Sequence, residues 1–162
     1  MKGMIRVILE EEGVKSPIIP RGETMRKELK MYDVRVYDAK TEAEKRLSDH
    51  FRVKEFACSD GSRPVFVSQT LIDFLEAIRR HFGRPVNIHS GYRTTAYNTS
   101  LPGSSSTSKH CMGLAADFDI TGVTPKEVYS YTDSLLGSHG GLGLYSWGVH
   151  LDVRAEKSRW TG

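Results

Sequence analysis

The segment from Ser108 to Asp117 places an imidazole and a carboxylate seven positions apart, with small residues between them. Side chains on a regular strand alternate between its two faces, so His110 and Asp117 would point in opposite directions on one continuous strand. The two side chains can therefore meet only if the chain bends between them. Gly113 can provide this bend, because glycine adopts backbone conformations that are closed to other residues. The segment predicts a bend that leads into a strand.

A second imidazole and a second carboxylate lie in the sequence Val149-His150-Leu151-Asp152-Val153. The alternation predicts a strand with His150 and Asp152 on one face and three apolar side chains on the other. With His110 and Asp117, His150 completes a set of two imidazoles and one carboxylate. Such a set leaves a fourth position open, as catalytic zinc sites do. The alternative is that these side chains are solvated or packed separately, since short motifs also match by chance.

The composition narrows the classes of protein to which this chain can belong. A chain of 162 residues suits one domain with a core large enough to fold unaided. No apolar run is long enough for a transmembrane helix, and the aromatic residues are not interleaved with basic ones as in nucleic-acid platforms. The net charge of +3 is mild and gives only weak support to an anionic partner such as a cell wall. The N-terminus lacks the apolar stretch of a signal peptide, which leaves the export route unknown.

The chain has two cysteines, Cys58 and Cys111, which are too few for a disulfide scaffold. They can pair with each other, or Cys111 can take a metal or redox role beside His110. The simplest interpretation is that each is a small buried residue.

The pattern of helices and strands indicates an α+β fold. Ser68 is a good helix N-cap before an amphipathic helix that ends at Gly83, and Thr124 caps a second helix from Pro125 to Leu136. We expect a small antiparallel sheet that carries the site and packs against these helices. Its strands are predicted near the residues Val86, Ala115, Leu142 and His150. Residues 1–40 are interpreted as an N-terminal extension of unknown role, and residues 41–162 as the domain, which we expect to be monomeric.

Other candidate residues flank the predicted site. Arg93 follows the strand Val86–Ser90, where a guanidinium can bind a carboxylate or a carbonyl oxygen, or serve as a structural surface residue. His89 suits a structural role better than a ligand role. Asp119 either orients a ligand or is solvated. The Ser- and Thr-rich segment Asn98–Ser108 is either a lip over a cleft or an ordinary surface loop.

Three motifs occur in order along the chain: Ser90-Gly91-Tyr92-Arg93-Thr94, then Ser108-x-His110-x-x-Gly113-x-Ala115-x-Asp117, then Gly141-Leu142-Gly143-Leu144-Tyr145 with Val149-His150-Leu151-Asp152-Val153-Arg154. Together they resemble the signatures of the zinc D-alanyl-D-alanine peptidases. That family includes carboxypeptidases, dipeptidases, phage endolysins and murein endopeptidases, and shares its fold with the hedgehog signalling domain. The resemblance covers about residues 47–160.

The resemblance implies a role for each matching residue. His110, Asp117 and His150 become zinc ligands, Arg93 binds the substrate carboxylate or polarises the scissile carbonyl, and Ser108 lines the substrate site. The implied substrate is the peptide stem or cross-link of bacterial peptidoglycan, cut as a carboxypeptidase or an endopeptidase. The implied place of action is the cell wall, reached either through phage lysis or as part of a larger protein.

One departure from the family pattern concerns the general base. Several members place an acid three residues before the last ligand, and that position here is Trp147. Asp152 is the nearest acid and is expected either to be the catalytic base or to orient a ligand, with His139 and His89 as further candidates. The departure also keeps open an alternative function, a zinc-containing cell-wall binding module without hydrolytic activity.

Overall fold

A computed structural model describes residues 33–162 of the chain, so that residues 1–32 of the predicted extension lie outside it. Three α-helices are present in the described part: α1 (Gln69–Phe82), α2 (Thr95–Ser100) and α3 (Pro125–Leu136). The strands are β1 (Val34–Asp38), β2 (Pro64–Ser68), β3 (Val86–Ser90), β4 (Ala115–Ile120), β5 (Gly141–Leu144), β6 (Val149–Asp152) and β7 (Ser158–Thr161). Within the same range, none of the helices has the length and hydropathy needed to cross a membrane.

The α+β class is confirmed, but the main sheet is larger than the sequence predicted. Its five strands lie in the order β3-β4-β6-β5-β7, and β1 and β2 form a separate two-stranded sheet. The four expected strands pair antiparallel, whereas β7 pairs parallel to β5. The sequence of β7 is short and polar and shows no apolar alternation that would predict a strand.

Both amphipathic helices begin and end where the sequence predicted. The Ser68 hydroxyl accepts a hydrogen bond from the backbone N–H of Leu71, and Gly83 ends α1 in the left-handed conformation with φ of 61°. Thr124 and Glu127 form a reciprocal capping box at the start of α3. These local signals mark the ends of both helices in the sequence.

The apolar faces of the helices and of the main sheet form one core. Phe118 on β4 and the two apolar residues of β6, Val149 and Leu151, are fully buried in it. The apolar face of α1 joins the same cluster through the residues Leu71, Ile72, Phe74, Leu75 and Ile78. Because side chains alternate along a strand, burial of Phe118 and Val149 turns Asp117 and His150 to the opposite face of the sheet.

The strand β1 ties part of the predicted extension to the domain. It pairs antiparallel with β2, with Val34 opposite Ser68. The carboxylate of Asp33 accepts hydrogen bonds from the hydroxyls of Ser68, at 2.7 Å, and of Thr70, at 2.6 Å. Residues 33–38 of the predicted extension therefore contact the part of the chain that is interpreted as the domain.

Gly113 provides the bend that the sequence predicted between His110 and Asp117. A short 3-10 helix, Lys109–Met112, ends at Gly113, whose φ of 71° lies in the left-handed region. A Cβ at this position would lie 2.5 Å from the backbone oxygen of Phe66, which is too close for any side chain. The bend therefore depends on glycine for two reasons, its backbone conformation and its contact with β2.

We expect Gly113→Ala to lower the free energy of unfolding by about 3 kcal/mol or more, because it adds backbone strain and a clash with β2. Gly61→Ala is the matched control, because Gly61 also has a positive φ, of 78°, but a Cβ there meets nothing within 4 Å. The control should cost only about 1 kcal/mol. Urea denaturation of both variants measures the difference, and equal losses would contradict the close packing at Gly113.

Candidate metal centre

The three predicted ligands come together at one point on the open face of the sheet. Asp117 on β4 is the register partner of His150 on β6, so the two side chains lie side by side. The short 3-10 helix before Gly113 brings in His110. Nδ1 of His150 lies 2.7 Å from Oδ1 of Asp117, and Nε2 of His110 lies 3.2 Å from Oδ2. One ligand atom from each residue lies within 4.8 Å of the others.

The outer nitrogen of each imidazole is held by an acceptor. Nδ1 of His110 lies 2.7 Å from the carbonyl oxygen of Gly91, and Nε2 of His150 lies 2.9 Å from Oδ2 of Asp152. A carbonyl and an ionised carboxylate only accept hydrogen bonds, so both outer nitrogens carry protons. Contacts of this kind fix ring orientation and tautomer in metal sites. The inner nitrogen of each ring therefore faces Asp117.

The donor set fits a divalent metal ion. With both outer nitrogens protonated, the inner nitrogens of neutral His110 and His150 direct lone pairs toward the carboxylate of Asp117. This arrangement needs either one extra proton on each ring or one cation shared by all three groups. A divalent ion replaces both protons, and zinc accepts two imidazole nitrogens and a carboxylate oxygen at about 2.0–2.2 Å. The three side chains remain only 4–13% exposed, so that a bound ion would be largely shielded from water.

The hydrogen bonds within the site oppose the effect of burial on the pKa values of its titratable groups. Burial alone raises the pKa of Asp117, but hydrogen bonds from His110 and His150 outweigh it and hold that pKa well below its usual range. Burial lowers the pKa of His150, but its hydrogen bonds to Asp117 and Asp152 reverse this and raise the pKa above its usual value. The two carboxylates thus favour the protonated form of His150, and a bound cation would compete with that proton.

Asp152 lies behind His150 and not in the cavity. Its side chain is fully buried. Oδ1 accepts from Nε of Arg154 at 2.7 Å, and Oδ2 accepts from Nη2 at 2.6 Å. A general base must reach a proton on the substrate or on water, and this carboxylate is enclosed by its two partners. This position favours the second of the two expected roles of Asp152, in which it orients His150.

Arg93 stands on the other side of the triad. Its Nη2 donates to Oδ2 of Asp117 at 2.8 Å, and its Nε donates to the hydroxyl of Ser90 at 2.8 Å. The side chain is 17% exposed and borders the cavity above the triad. These contacts leave Nη1 without a hydrogen-bond partner among residues 33–162, so it can receive a ligand from the cavity.

The triad opens into a cavity of about 470 Å³. Ser108 lines it, and the Ser- and Thr-rich loop contributes Gly103, Ser104, Ser105 and Thr107 to its lining. Four lining residues were not among the site residues predicted from the sequence: Lys109, Tyr145, Arg154 and Trp160. Arg154 is the last residue of the motif that contains His150, so the sequence could have indicated it. Trp160 reaches the site only because β7 joins the sheet.

Several other candidates lie outside the cavity. His89 pairs with Asp119, with 2.7 Å between Nε2 and Oδ2, and both are partly exposed. Trp147, at the usual base position, is 47% exposed and does not line the cavity, and neither does His139. Cys58 and Cys111 are free thiols.

Comparison with known proteins identifies the family. A family model described as peptidase M15 matches residues 49–152, which include all three residues of the triad. This chain belongs to the peptidase M15 family. The M15 peptidases are metallopeptidases of the zinc D-Ala-D-Ala carboxypeptidase type, which act on the bacterial cell wall, so the suspected relationship is confirmed. No curated protein and no solved structure matches the chain.

Proposed function

We propose that this M15 peptidase is a zinc enzyme that hydrolyses amide bonds in the peptide stems or cross-links of bacterial peptidoglycan. The observation that carries the proposal is the triad of His110, Asp117 and His150 at the base of an open cavity. The triad supplies three protein ligands and leaves one side open to the cavity, as a catalytic zinc site requires. We also propose that the α+β fold of this chain is the one that the family shares with the hedgehog signalling domain.

The ligand residues have separate tasks in this proposal. His110 and His150 each offer a neutral nitrogen, because Gly91 and Asp152 hold the outer proton of each ring. Asp117 offers a carboxylate whose low pKa keeps it ionised at neutral pH. Zinc bound here would activate water and polarise the scissile carbonyl.

Arg93 and Ser108 would hold the substrate. The free Nη1 of Arg93 can donate to a substrate carboxylate or to the oxygen of the scissile carbonyl as negative charge develops there. The contact of Nη2 with Asp117 fixes the guanidinium beside the triad before substrate arrives. Ser108 adds a hydroxyl at the cavity wall.

One feature of the cavity favours the alternative function, a zinc-containing cell-wall binding module. Among the described residues that line the cavity, Asp117 is the only carboxylate, and it is committed to the triad. A zinc peptidase usually has a second carboxylate that acts as general base and takes a proton from water. A module that only bound peptidoglycan would not need one.

Digestion of purified peptidoglycan tests the two functions. The zinc-loaded protein should release fragments with new peptide ends, identified by mass spectrometry, and a chelator should abolish their formation. The fragments also name the bond that is cut. Intact peptidoglycan in the presence of a protein that carries one zinc per chain and cosediments with the cell wall would contradict hydrolysis and support the binding module.

A further inference from the structure

Two guanidinium groups flank the metal triad, and only Arg93 has a role in the function proposed above. Arg93 contacts Asp117, which joins it to the side of the triad that holds His110. Arg154 contacts Asp152, which contacts the outer nitrogen of His150. Both arginines line the same cavity. The two guanidinium groups therefore reach the cavity beside different ligands of the triad, Arg93 beside Asp117 and Arg154, through Asp152, beside His150.

Two neighbouring side chains restrict the guanidinium of Arg154. Asp152 binds it through two parallel hydrogen bonds, and the ring of Trp160 lies 5.8 Å from its central carbon. Trp160 is itself fixed, because its Nε1 donates to the hydroxyl of Tyr145 at 3.1 Å. The indole also packs on Gly143, where a Cβ would come within 2.5 Å of Nε1.

This support leaves one edge of Arg154 for a ligand. Its Nε and Nη2 are used by Asp152, whereas Nη1 has no hydrogen-bond partner in the described part of the chain. The side chain is 27% exposed and borders the cavity. A guanidinium that is already fixed loses little conformational freedom when it binds, which suits it to recognise a planar anion.

The charge of the cavity points to the same class of ligand. Three of its lining residues are basic, Arg93, Lys109 and Arg154, and one is acidic, Asp117. A bound divalent metal would add further positive charge. Such a cavity attracts anions and disfavours ligands in which the negative charge is removed.

We propose that Arg154 binds a substrate carboxylate distinct from the group that Arg93 contacts, so that the cavity selects peptides with a free carboxylate on each side of the scissile amide. This inference rests on the proposed peptidase function and extends it to substrate choice. It predicts that converting the stem carboxylates of peptidoglycan to carboxamides protects the peptide. The carboxamide has the same shape but lacks the charge that Arg154 and Lys109 attract.

Kinetics on two matched soluble peptidoglycan fragments test the inference, one with free stem carboxylates and one with carboxamides. Wild-type protein should prefer the free acid in kcat/KM by roughly tenfold or more, since a hydrogen bond between ions is about twice as strong as a neutral one. In Arg154→Lys the ammonium still pairs with Asp152 but cannot also reach into the cavity. We expect the preference to fall toward unity, mainly through KM for the free acid. Arg63→Lys is the matched control, since Arg63 pairs with Asp38 on the surface.

A binding measurement separates failure of this inference from failure of the peptidase function. Trp147→Phe leaves Trp160 as the one tryptophan, and Trp160 lies against Arg154. The free-acid fragment should change the fluorescence of Trp160 in metal-free protein, the carboxamide should not, and Arg154→Lys should lose the response. If neither fragment is hydrolysed but this pattern appears, the peptidase function fails and the carboxylate site stands. If Arg154→Lys keeps the wild-type preference or the wild-type fluorescence response, the inference is wrong.

Discussion

His110→Ala should remove bound zinc and lower the rate of peptidoglycan hydrolysis by about 10³-fold or more, because Lewis acidity supplies several kcal/mol of transition-state stabilisation. His110 is 3% exposed, and its outer nitrogen donates to the carbonyl oxygen of Gly91. Among the described residues, its inner nitrogen contacts Asp117. Metal analysis and a hydrolysis assay on the same sample measure both effects together.

The control for His110→Ala is His89→Ala. His89 is also an imidazole paired with an aspartate, but it is half-exposed and lies outside the cavity. This variant should keep its zinc and its activity. A His110→Ala protein that is active without metal would contradict the assignment of the triad.

Asp152→Asn should weaken zinc binding by about 10–100-fold, because the carboxylate orients His150 and raises its basicity. The amide keeps the shape of the side chain but cannot accept from His150 and Arg154 with the same strength. It also leaves the charge of Arg154 without its buried partner, which should destabilise the fold by about 3–5 kcal/mol. Metal titration and thermal unfolding measure these effects.

The same variant distinguishes an orienting residue from a general base. If Asp152 orients His150, saturating zinc should restore most of the lost activity. Asp119→Asn is the control, since Asp119 pairs with His89 on the open part of the sheet and away from the cavity. Unchanged zinc affinity with activity that stays low at saturating zinc would restore Asp152 as the base.

Local signals made the helices and the site strand predictable. The caps at Ser68 and Thr124 depend on residues three positions away, so that the sequence carries the whole signal. The alternation in β6 likewise placed His150 and Asp152 on one face. The left-handed Gly113 was predictable because His110 and Asp117 could not otherwise meet.

Long-range contacts account for what the sequence did not reveal. Alternation fixes the face of a strand but not the depth of each residue, and Asp152 proved to be enclosed while His150 borders the cavity. Arg154 encloses Asp152 through two hydrogen bonds, which no local sequence pattern predicts. Trp160 reaches the site because β7 pairs parallel with β5. Parallel strands are not connected by a hairpin turn, so no turn sequence predicts their pairing.

A crystal structure of the zinc-loaded protein, with anomalous data collected at the zinc absorption edge, tests directly whether His110, Asp117 and His150 bind the metal. We expect one strong peak at about 2.0–2.2 Å from Nε2 of His110, Nδ1 of His150 and a carboxylate oxygen of Asp117. Asp152 should stay on the outer nitrogen of His150, and Arg154 on Asp152. A peak bound through Asp152, or none at the triad of a fully loaded protein, would contradict the metal centre and the function built on it.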